Sequence, residues 1–176
     1  NQAIRNLEER NKDKRHMERE RLASYGLVIG MLLFIAQTGA NLDTAQQLQL
    51  DTMEILPSTQ GRRFSGTKSR AGGKEVQPEF GVKFEPVFRQ ILELRAWYIQ
   101  DETCIFVFPQ RNEIQRLVPI GNGKLQLLKS FLQRIFPQMV WITPQQWRKH
   151  VSSQYVELSD GDLLLEVEKM GHSLDT

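Results

Sequence analysis

Apolar and polar positions divide the chain into a polar beginning and a mostly helical remainder. Residues 1–21 are nearly all polar, which suits a solvated helix or a linker from an upstream domain. Residues 27–36 form an unbroken apolar run, far shorter than the roughly 20 residues that a membrane-spanning helix needs. We therefore expect a buried core helix there, ended by Gly39, and no membrane segment.

Helical periodicity returns in the second half of the chain. Apolar residues recur every three or four positions over 84–99 and 125–136, which predicts two amphipathic core helices. Further helices are predicted over 143–158 and 162–170, together with a short one that Asn41 or Asp43 caps and that reaches Leu50.

Short extended segments lie between these helices. They are predicted over 52–56, 63–69, 74–78, 104–108 and 115–120. Gly72-Gly73 is a typical turn signal for a hairpin between the second and third of them. The sum is an α+β fold class, mostly helical with a small antiparallel β-sheet or hairpin.

Length and charge add limits to this picture. A chain of 176 residues is long enough for one domain with a real core, which we place at 22–176, after an arm at 1–21. The net charge of +2 is too small to indicate nucleic-acid binding by itself. The chain begins at Asn1 rather than at a methionine, and we expect it to be a piece of a longer protein.

Cysteine and histidine usage argues against metal or disulfide chemistry. The single cysteine, Cys104, lies in an apolar run and is expected to be a buried structural thiol in a reducing, cytoplasmic setting. The three histidines, His16, His150 and His172, lack the spacing of a zinc site. We expect neither a metal nor another cofactor.

Positive charge is concentrated in one stretch. Residues 61–74 carry five basic side chains and no acidic one. A basic hairpin that lies on a phosphate backbone is one interpretation. A solvated loop whose lysines protect strand edges is the other, and charge alone does not separate them.

The C-terminal stretch carries the candidate chemistry. Thr143 is a candidate helix cap, and Pro144 fits the first helical position. Gln145 and Arg148 are three residues apart and so share one helix face, where a guanidinium offers a rigid fork of donors for a phosphate or a carboxylate. Gly171-His172-Ser173 follows where the last predicted helix ends.

Two motifs in this stretch resemble a known family. Thr143-Pro144-x-x-x-Arg148-Lys149 followed by Met170-Gly171-His172-Ser173 is similar to the C-terminal signature of the tyrosine recombinases. That family has histidine or lysine where this chain has Gln145. Its Thr-Gly-x-Arg box resembles Thr38-Gly39-Ala40-Asn41, with Asn41 at the arginine position. The resemblance covers about residues 22–176, with the motifs in the family's order.

The resemblance implies a chemistry and a set of roles. A tyrosine would attack a DNA phosphodiester, Arg148 would stabilise the developing charge, and Lys68 would protonate the departing 5′-oxygen. His172 and Gln145 would donate hydrogen bonds to the phosphate, and Asn41 would offer a neutral amide in place of a second arginine. The expected DNA contacts are Arg62, Arg63, Arg70, Lys74 and Lys149.

Three functions stay open at this point. The first is the catalytic domain of a site-specific recombinase or integrase, of the kind found on mobile genetic elements, acting as a homo-oligomer on double-stranded DNA. No tyrosine follows His172, so this function requires a nucleophile after Thr176. The second is a catalytically degenerate recombinase-like module that binds DNA or proteins. The third, without the resemblance, is a helical interaction module with a basic surface hairpin.

Overall fold

The computed structural model describes residues 14–56, 61–68 and 74–158. Its helices are α1 (Lys14–Thr38), α2 (Leu42–Gln46), α3 (Glu85–Ile99), α4 (Asn122–Ile135) and α5 (Pro144–Leu158), with a 3-10 turn at Leu50–Thr52. Its strands are β1 (Met53–Leu56), β2 (Gly61–Phe64), β3 (Gly66–Lys68), β4 (Lys74–Val76), β5 (Glu79–Phe80), β6 (Pro109–Arg111) and β7 (Leu117–Pro119). The expected α+β class, mostly helical with small antiparallel sheets, is confirmed. The expected helix 162–170 lies outside the described residues.

Helix α1 is the centre of the fold. Leu27, Met31 and Phe34 on this helix are completely buried, and α3, α4 and α5 all pack against it. The expected core helix is therefore confirmed, and it continues without a break into the polar residues from Lys14 onwards. Whether the chain divides into arm and domain near residue 21 stays a prediction.

The apolar content of α1 has two possible explanations. By length and composition alone, Met17–Thr38 could cross a membrane. Half of that window, however, is buried inside the protein. Burial of this kind is the behaviour of a core helix, whose apolar side is covered by other parts of the same chain.

Two glycines let α1 and α3 approach closely. A Cβ atom at Gly26 would lie 2.7 Å from Cδ2 of Leu94, and one at Gly30 would lie 3.0 Å from Cγ1 of Ile91. Because the two glycines are four residues apart, both are on the same face of α1. The sequence at this face therefore sets the distance between the two helices.

An aromatic cluster joins the helices to the strands. The Phe34 ring lies 5.7 Å from Phe64 on β2, 6.4 Å from Phe88 on α3 and 5.8 Å from Phe108, measured between centroids. Phe80 on β5 completes the cluster, 6.2 Å from Phe34 in an edge-on arrangement. Edge-on and tilted ring pairs of this kind are favourable, so the sheet is held on the end of α1 that leads to Gly39.

The strands of the described residues form three small antiparallel units. β1, β2 and β5 make a sheet in the order β1-β2-β5, while β3 pairs with β4 and β6 with β7. The single strand expected over 63–69 is thus divided between β2 and β3, which belong to different units. The Gly72-Gly73 turn lies outside the described residues.

The strand expected over 104–108 is wrong. Phe106 makes one isolated bridge to Gln49, and the regular strand begins only at Pro109. The buried Arg95 explains the difference, because its Nε donates to the Phe106 carbonyl at 2.7 Å and its Nη2 donates to the Cys104 carbonyl at 2.6 Å. A side chain thus satisfies the carbonyls that a neighbouring strand would otherwise bind. Cys104 itself is a free thiol, only partly buried.

Candidate functional site

Helix α5 begins with a reciprocal side-chain cap. The Thr143 N–H and hydroxyl both donate to Oε1 of Gln146, at 2.8 and 2.9 Å, and the Gln146 N–H lies 3.3 Å from the Thr143 hydroxyl oxygen. Pro144 is the first helical residue. The predicted start of this helix is confirmed. Gln146 serves the cap, and the neighbouring Gln145 is exposed.

Arg148 on α5 contacts the turn that follows α1. Its Nε donates a hydrogen bond of 3.0 Å to the carbonyl oxygen of Gly39, across 109 residues of chain. The Thr-Gly turn after α1 and the Arg148 motif on α5 are therefore in direct contact. Nε is one of the five N–H donors that a guanidinium carries in a rigid plane.

The turn after α1 is tightly bonded. Gly39 has a φ of 69°, a left-handed conformation that favours glycine, and its N–H donates to the Ile35 carbonyl at 2.8 Å. Asn41 then caps α2, because its Oδ1 accepts a hydrogen bond of 2.8 Å from the Thr44 N–H. The cap expected for Asn41 is confirmed, and the amide oxygen is committed to it.

Two arginines of the basic stretch bind acidic residues of the fold. Arg62 forms a two-bond pair with Glu85 at the start of α3, at 2.8 and 2.6 Å, and its side chain is only 15% exposed. This pairing is the main cause that lowers the pKa of the Glu85 carboxyl below its usual value and raises the pKa of Arg62. Arg62 also lies over the Phe88 ring, 5.7 Å from its centroid.

Arg63 faces the opposite side of the sheet. Its Nη2 lies 2.9 Å from Oε2 of Glu79. The register makes Arg63 the direct partner of Glu54 on β1 and of Glu79 on β5, so one basic residue stands between two acidic ones in the same cross-strand row. Arg62 and Arg63 thus bind carboxylates of the fold, whereas Arg148 binds the Gly39 carbonyl.

The remaining predicted site residues are described in part or not at all. Lys68 ends β3 and is the direct backbone partner of Lys74 on β4. Lys149 is exposed on the first turns of α5, next to Arg148. Arg70 and His172 lie outside the described residues. The catalytic and DNA-binding roles of all these residues stay predictions.

The sequence reading missed several partners. The spacing Thr143-x-x-Gln146 is a recognisable capping-box signal that could have identified Gln146. No local sequence signal indicates that Arg62 pairs with Glu85 or that the Gly39 carbonyl accepts a hydrogen bond from Arg148, because these partners are far apart in the sequence. Within residues 14–56, 61–68 and 74–158, no group of three or more His, Cys, Asp or Glu side chains could hold a metal ion.

Comparisons with known proteins identify the fold. Neither protein-family models nor curated protein sequences give a match. Among solved structures, XerH site-specific recombinase bound to difH substrate in a pre-cleavage complex is similar over 92% of this chain and 46% of that chain, with a TM-score of 0.62 and 13% identity. A post-cleavage complex of XerH on a palindromic difH substrate gives a TM-score of 0.61 at the same identity and coverage.

A second recombinase agrees with the first. XerA recombinase is similar over 92% of this chain and 55% of that chain, with a TM-score of 0.59 and 14% identity. This chain has the fold of a tyrosine-recombinase catalytic domain, and it spans about half the length of these recombinases, 46% and 55%. Identities this low identify the fold alone.

Proposed function

We propose that this chain is the DNA-cleaving domain of a site-specific recombinase that acts through a phosphotyrosyl intermediate. The observation that carries the proposal is the hydrogen bond between Arg148 and the Gly39 carbonyl. It joins the two segments that the motif resemblance had paired, in a fold that the XerH and XerA structures share. A cytoplasmic location and a homo-oligomer on double-stranded DNA belong to the same proposal.

The reaction assigns a task to each candidate residue. A tyrosine hydroxyl attacks the scissile phosphorus and releases its proton to solvent, a 3′-phosphotyrosyl bond forms, and the bond to the 5′-oxygen breaks. Lys68 donates its proton to that departing oxygen, while Arg148 and His172 bind the non-bridging oxygens, whose charge grows in the transition state. Gln145, exposed one turn before Arg148, donates a hydrogen bond to the same phosphate.

Under this proposal the nucleophile is a tyrosine that comes after His172 in the family's order, in sequence beyond Thr176. All three tyrosines of the chain, Tyr25, Tyr98 and Tyr155, precede His172. Tyr98 is buried and accepts a hydrogen bond of 3.1 Å from the Arg111 N–H, and the Tyr25 ring packs at a tilt against Phe131 with centroids 4.9 Å apart. Both of these side chains serve the packing of the domain.

A second candidate function is a recombinase-like domain that binds DNA without efficient cleavage. Two observations favour it: the Asn41 amide oxygen caps α2, and Arg62 is engaged by Glu85. A site that lacks the second arginine has lost a donor to the phosphate. Removing one such donor typically lowers the rate of an enzyme by about 10²-fold or more.

A covalent-trapping experiment separates the two functions. The full-length protein is incubated with a nicked suicide duplex, and protein–DNA adducts are mapped by mass spectrometry. We expect an adduct on a tyrosine after Thr176 for the parent and none for the 176-residue chain, which should still bind duplex DNA. Retained DNA binding without any adduct from the full-length protein would favour the degenerate module, and an adduct on Tyr25, Tyr98 or Tyr155 would contradict both assignments.

A further inference from the structure

The Gly39 carbonyl is placed to accept a cation. Gly39 closes α1 in the left-handed conformation, with its own N–H bonded to the Ile35 carbonyl at 2.8 Å. The C-terminal end of a helix carries unpaired carbonyls and a partial negative charge, which favour a nearby cation. Within Lys14–Thr38 the last turn has no basic residue. Arg148 of α5 supplies the cation instead, at 3.0 Å.

Thr38 holds this turn in place. Its side chain is buried, its hydroxyl donates to the Phe34 carbonyl at 2.8 Å, and the same oxygen accepts from the Ala40 N–H at 3.2 Å. The Thr38 hydroxyl thus bonds the backbone before Gly39, at Phe34, and after it, at Ala40. On the far side, the Asn41 cap fixes the first turn of α2. The side chains of Thr38 and Asn41 therefore hold the backbone on both sides of the Gly39 carbonyl.

The bond to Nε has a geometric consequence. A guanidinium is planar, so a fixed Nε–H direction restricts the plane in which the other N–H groups lie. A lysine at the same position would keep the charge but would have no Nε and no fixed plane. Recognition of a phosphate by two parallel N–H bonds depends on that plane as well as on charge.

We propose that Thr38 and Gly39 are positioning residues that orient the Arg148 guanidinium for a DNA phosphate. The proposal rests on the phosphate-binding role given to Arg148 under the proposed function. It assigns to the Thr-Gly turn a role that depends on its hydroxyl and its backbone carbonyl. Asn41 supports the same turn through the α2 cap.

A matched pair at Thr38 tests the positioning role. Thr38→Val has nearly the same shape and removes the hydroxyl, whereas Thr38→Ser keeps it. The Nε–H of Arg148 gives a nitrogen–proton NMR signal, which is assigned by its loss in Arg148→Lys. We expect a signal protected from water exchange in the parent and in Thr38→Ser, and loss of that protection in Thr38→Val. An equally protected signal in folded Thr38→Val would overturn the proposal.

Duplex affinity gives the second readout. Arg148→Ala should weaken binding of a short duplex about tenfold in the parent, the size of one charged hydrogen bond. In the Thr38→Val background the same change should cost much less, because the guanidinium is already misplaced. Equal losses in both backgrounds would show that Thr38 does not act through Arg148.

Arg148→Lys provides a test that leaves α1 untouched. We expect it to lose nearly as much affinity as Arg148→Ala, and full affinity in the lysine variant would overturn the positioning role. If Arg148→Ala itself leaves affinity unchanged, the proposed phosphate contact fails, while the exchange protection of the Nε–H still decides whether Gly39 and Thr38 hold the side chain. The two ideas can therefore fail separately.

Discussion

A single asparagine combines a structural role with a position of catalytic interest. Asn41 stands where the recombinase family has an arginine, yet its amide oxygen accepts the Thr44 N–H at 2.8 Å and so starts α2. An arginine at this position cannot provide that acceptor. Asn41→Arg, which would restore the family pattern, therefore adds a cation and removes a helix cap at the same time.

Replacing Asn41 should reveal both effects. Asn41→Ala and Asn41→Arg should each lower the free energy of unfolding by about 1 kcal/mol, while Asn41→Asp, which can still cap, should keep it. In a full-length protein that forms adducts, Asn41→Arg should raise the cleavage rate about ten- to a hundredfold through charged hydrogen bonds to the phosphate. Chemical denaturation and adduct formation measure the two effects. An unchanged or lower rate in folded Asn41→Arg would remove position 41 from the phosphate site.

Arg62 should affect stability more than DNA binding. It is 15% exposed and makes two bonds to Glu85, so Arg62→Ala takes the more buried of two arginine partners from that carboxylate and leaves it the exposed Arg89, at 3.1 Å. We expect a loss of about 1–3 kcal/mol in the free energy of unfolding. Arg63→Ala, whose pair with Glu79 is more exposed, should cost less than about 1 kcal/mol. Equal losses for the two variants would contradict the unequal burial of the pairs.

The same pair predicts a pH dependence. Arg62 lowers the pKa of Glu85 in the folded state, so the pair contributes stability above the usual carboxyl pKa, and that contribution disappears as the pH falls through the lowered folded-state value. Glu85→Gln should therefore lose stability at neutral pH but much less at acidic pH. Unfolding curves from neutral to acidic pH check this, with the parent as reference.

At the scale of elements, helices were easier to predict than strands. The periodic stretches 84–99, 125–136 and 143–158 match Glu85–Ile99, Asn122–Ile135 and Pro144–Leu158 to within three residues, since helical periodicity is local. The apolar run 104–108 was predicted to be a strand, but it does not form a regular one because Arg95 of α3 binds two of its carbonyls. In the candidate site, too, local features could be predicted and tertiary contacts could not. The caps at Asn41 and Thr143 have local sequence signals, whereas the Arg148–Gly39 contact depends on tertiary structure.

The crossing of α1 and α3 supplies a prediction at the same scale. A Cβ at Gly30 would lie 3.0, 3.1 and 3.2 Å from three atoms of Ile91, a branched side chain held in the core. Gly30→Ala should therefore destabilise the protein by about 1–3 kcal/mol despite the better helix propensity of alanine.

Gly123 is the matched control. It lies in the first turn of α4, and among the described residues no atom outside its chain neighbours and the nearby helix backbone comes within 4 Å of its added Cβ. Gly123→Ala should stabilise the protein by up to about 1 kcal/mol. Thermal and chemical unfolding of both variants would decide the matter, and a stabilised Gly30→Ala would mean that the two helices separate at little cost.

For the whole molecule, the placement of charge indicates which residues would contact DNA under the proposed function. The net charge of +2 hides an uneven distribution, because residues 61–74 carry five basic side chains and no acid. The fold then divides that set, since Arg62 and Arg63 bind Glu85 and Glu79. Of these five basic residues, we expect Arg70 and Lys74 to contact the phosphate backbone.

The salt dependence of duplex affinity distinguishes Arg70 and Lys74 from Arg62 and Arg63. Duplex affinity should fall steeply with salt, and each lost phosphate contact should lower the log–log slope by about 0.9. We expect Arg70→Ala with Lys74→Ala to lower it by about 2, and Arg62→Ala with Arg63→Ala to lower it clearly less, because those charges are already compensated within the fold. Arg116→Ala, which removes an exposed charge near the β6–β7 turn, is the control for net charge alone. If the Arg70 and Lys74 pair has no larger effect than Arg116→Ala, the hairpin does not contact DNA, and the basic stretch is a solvated surface.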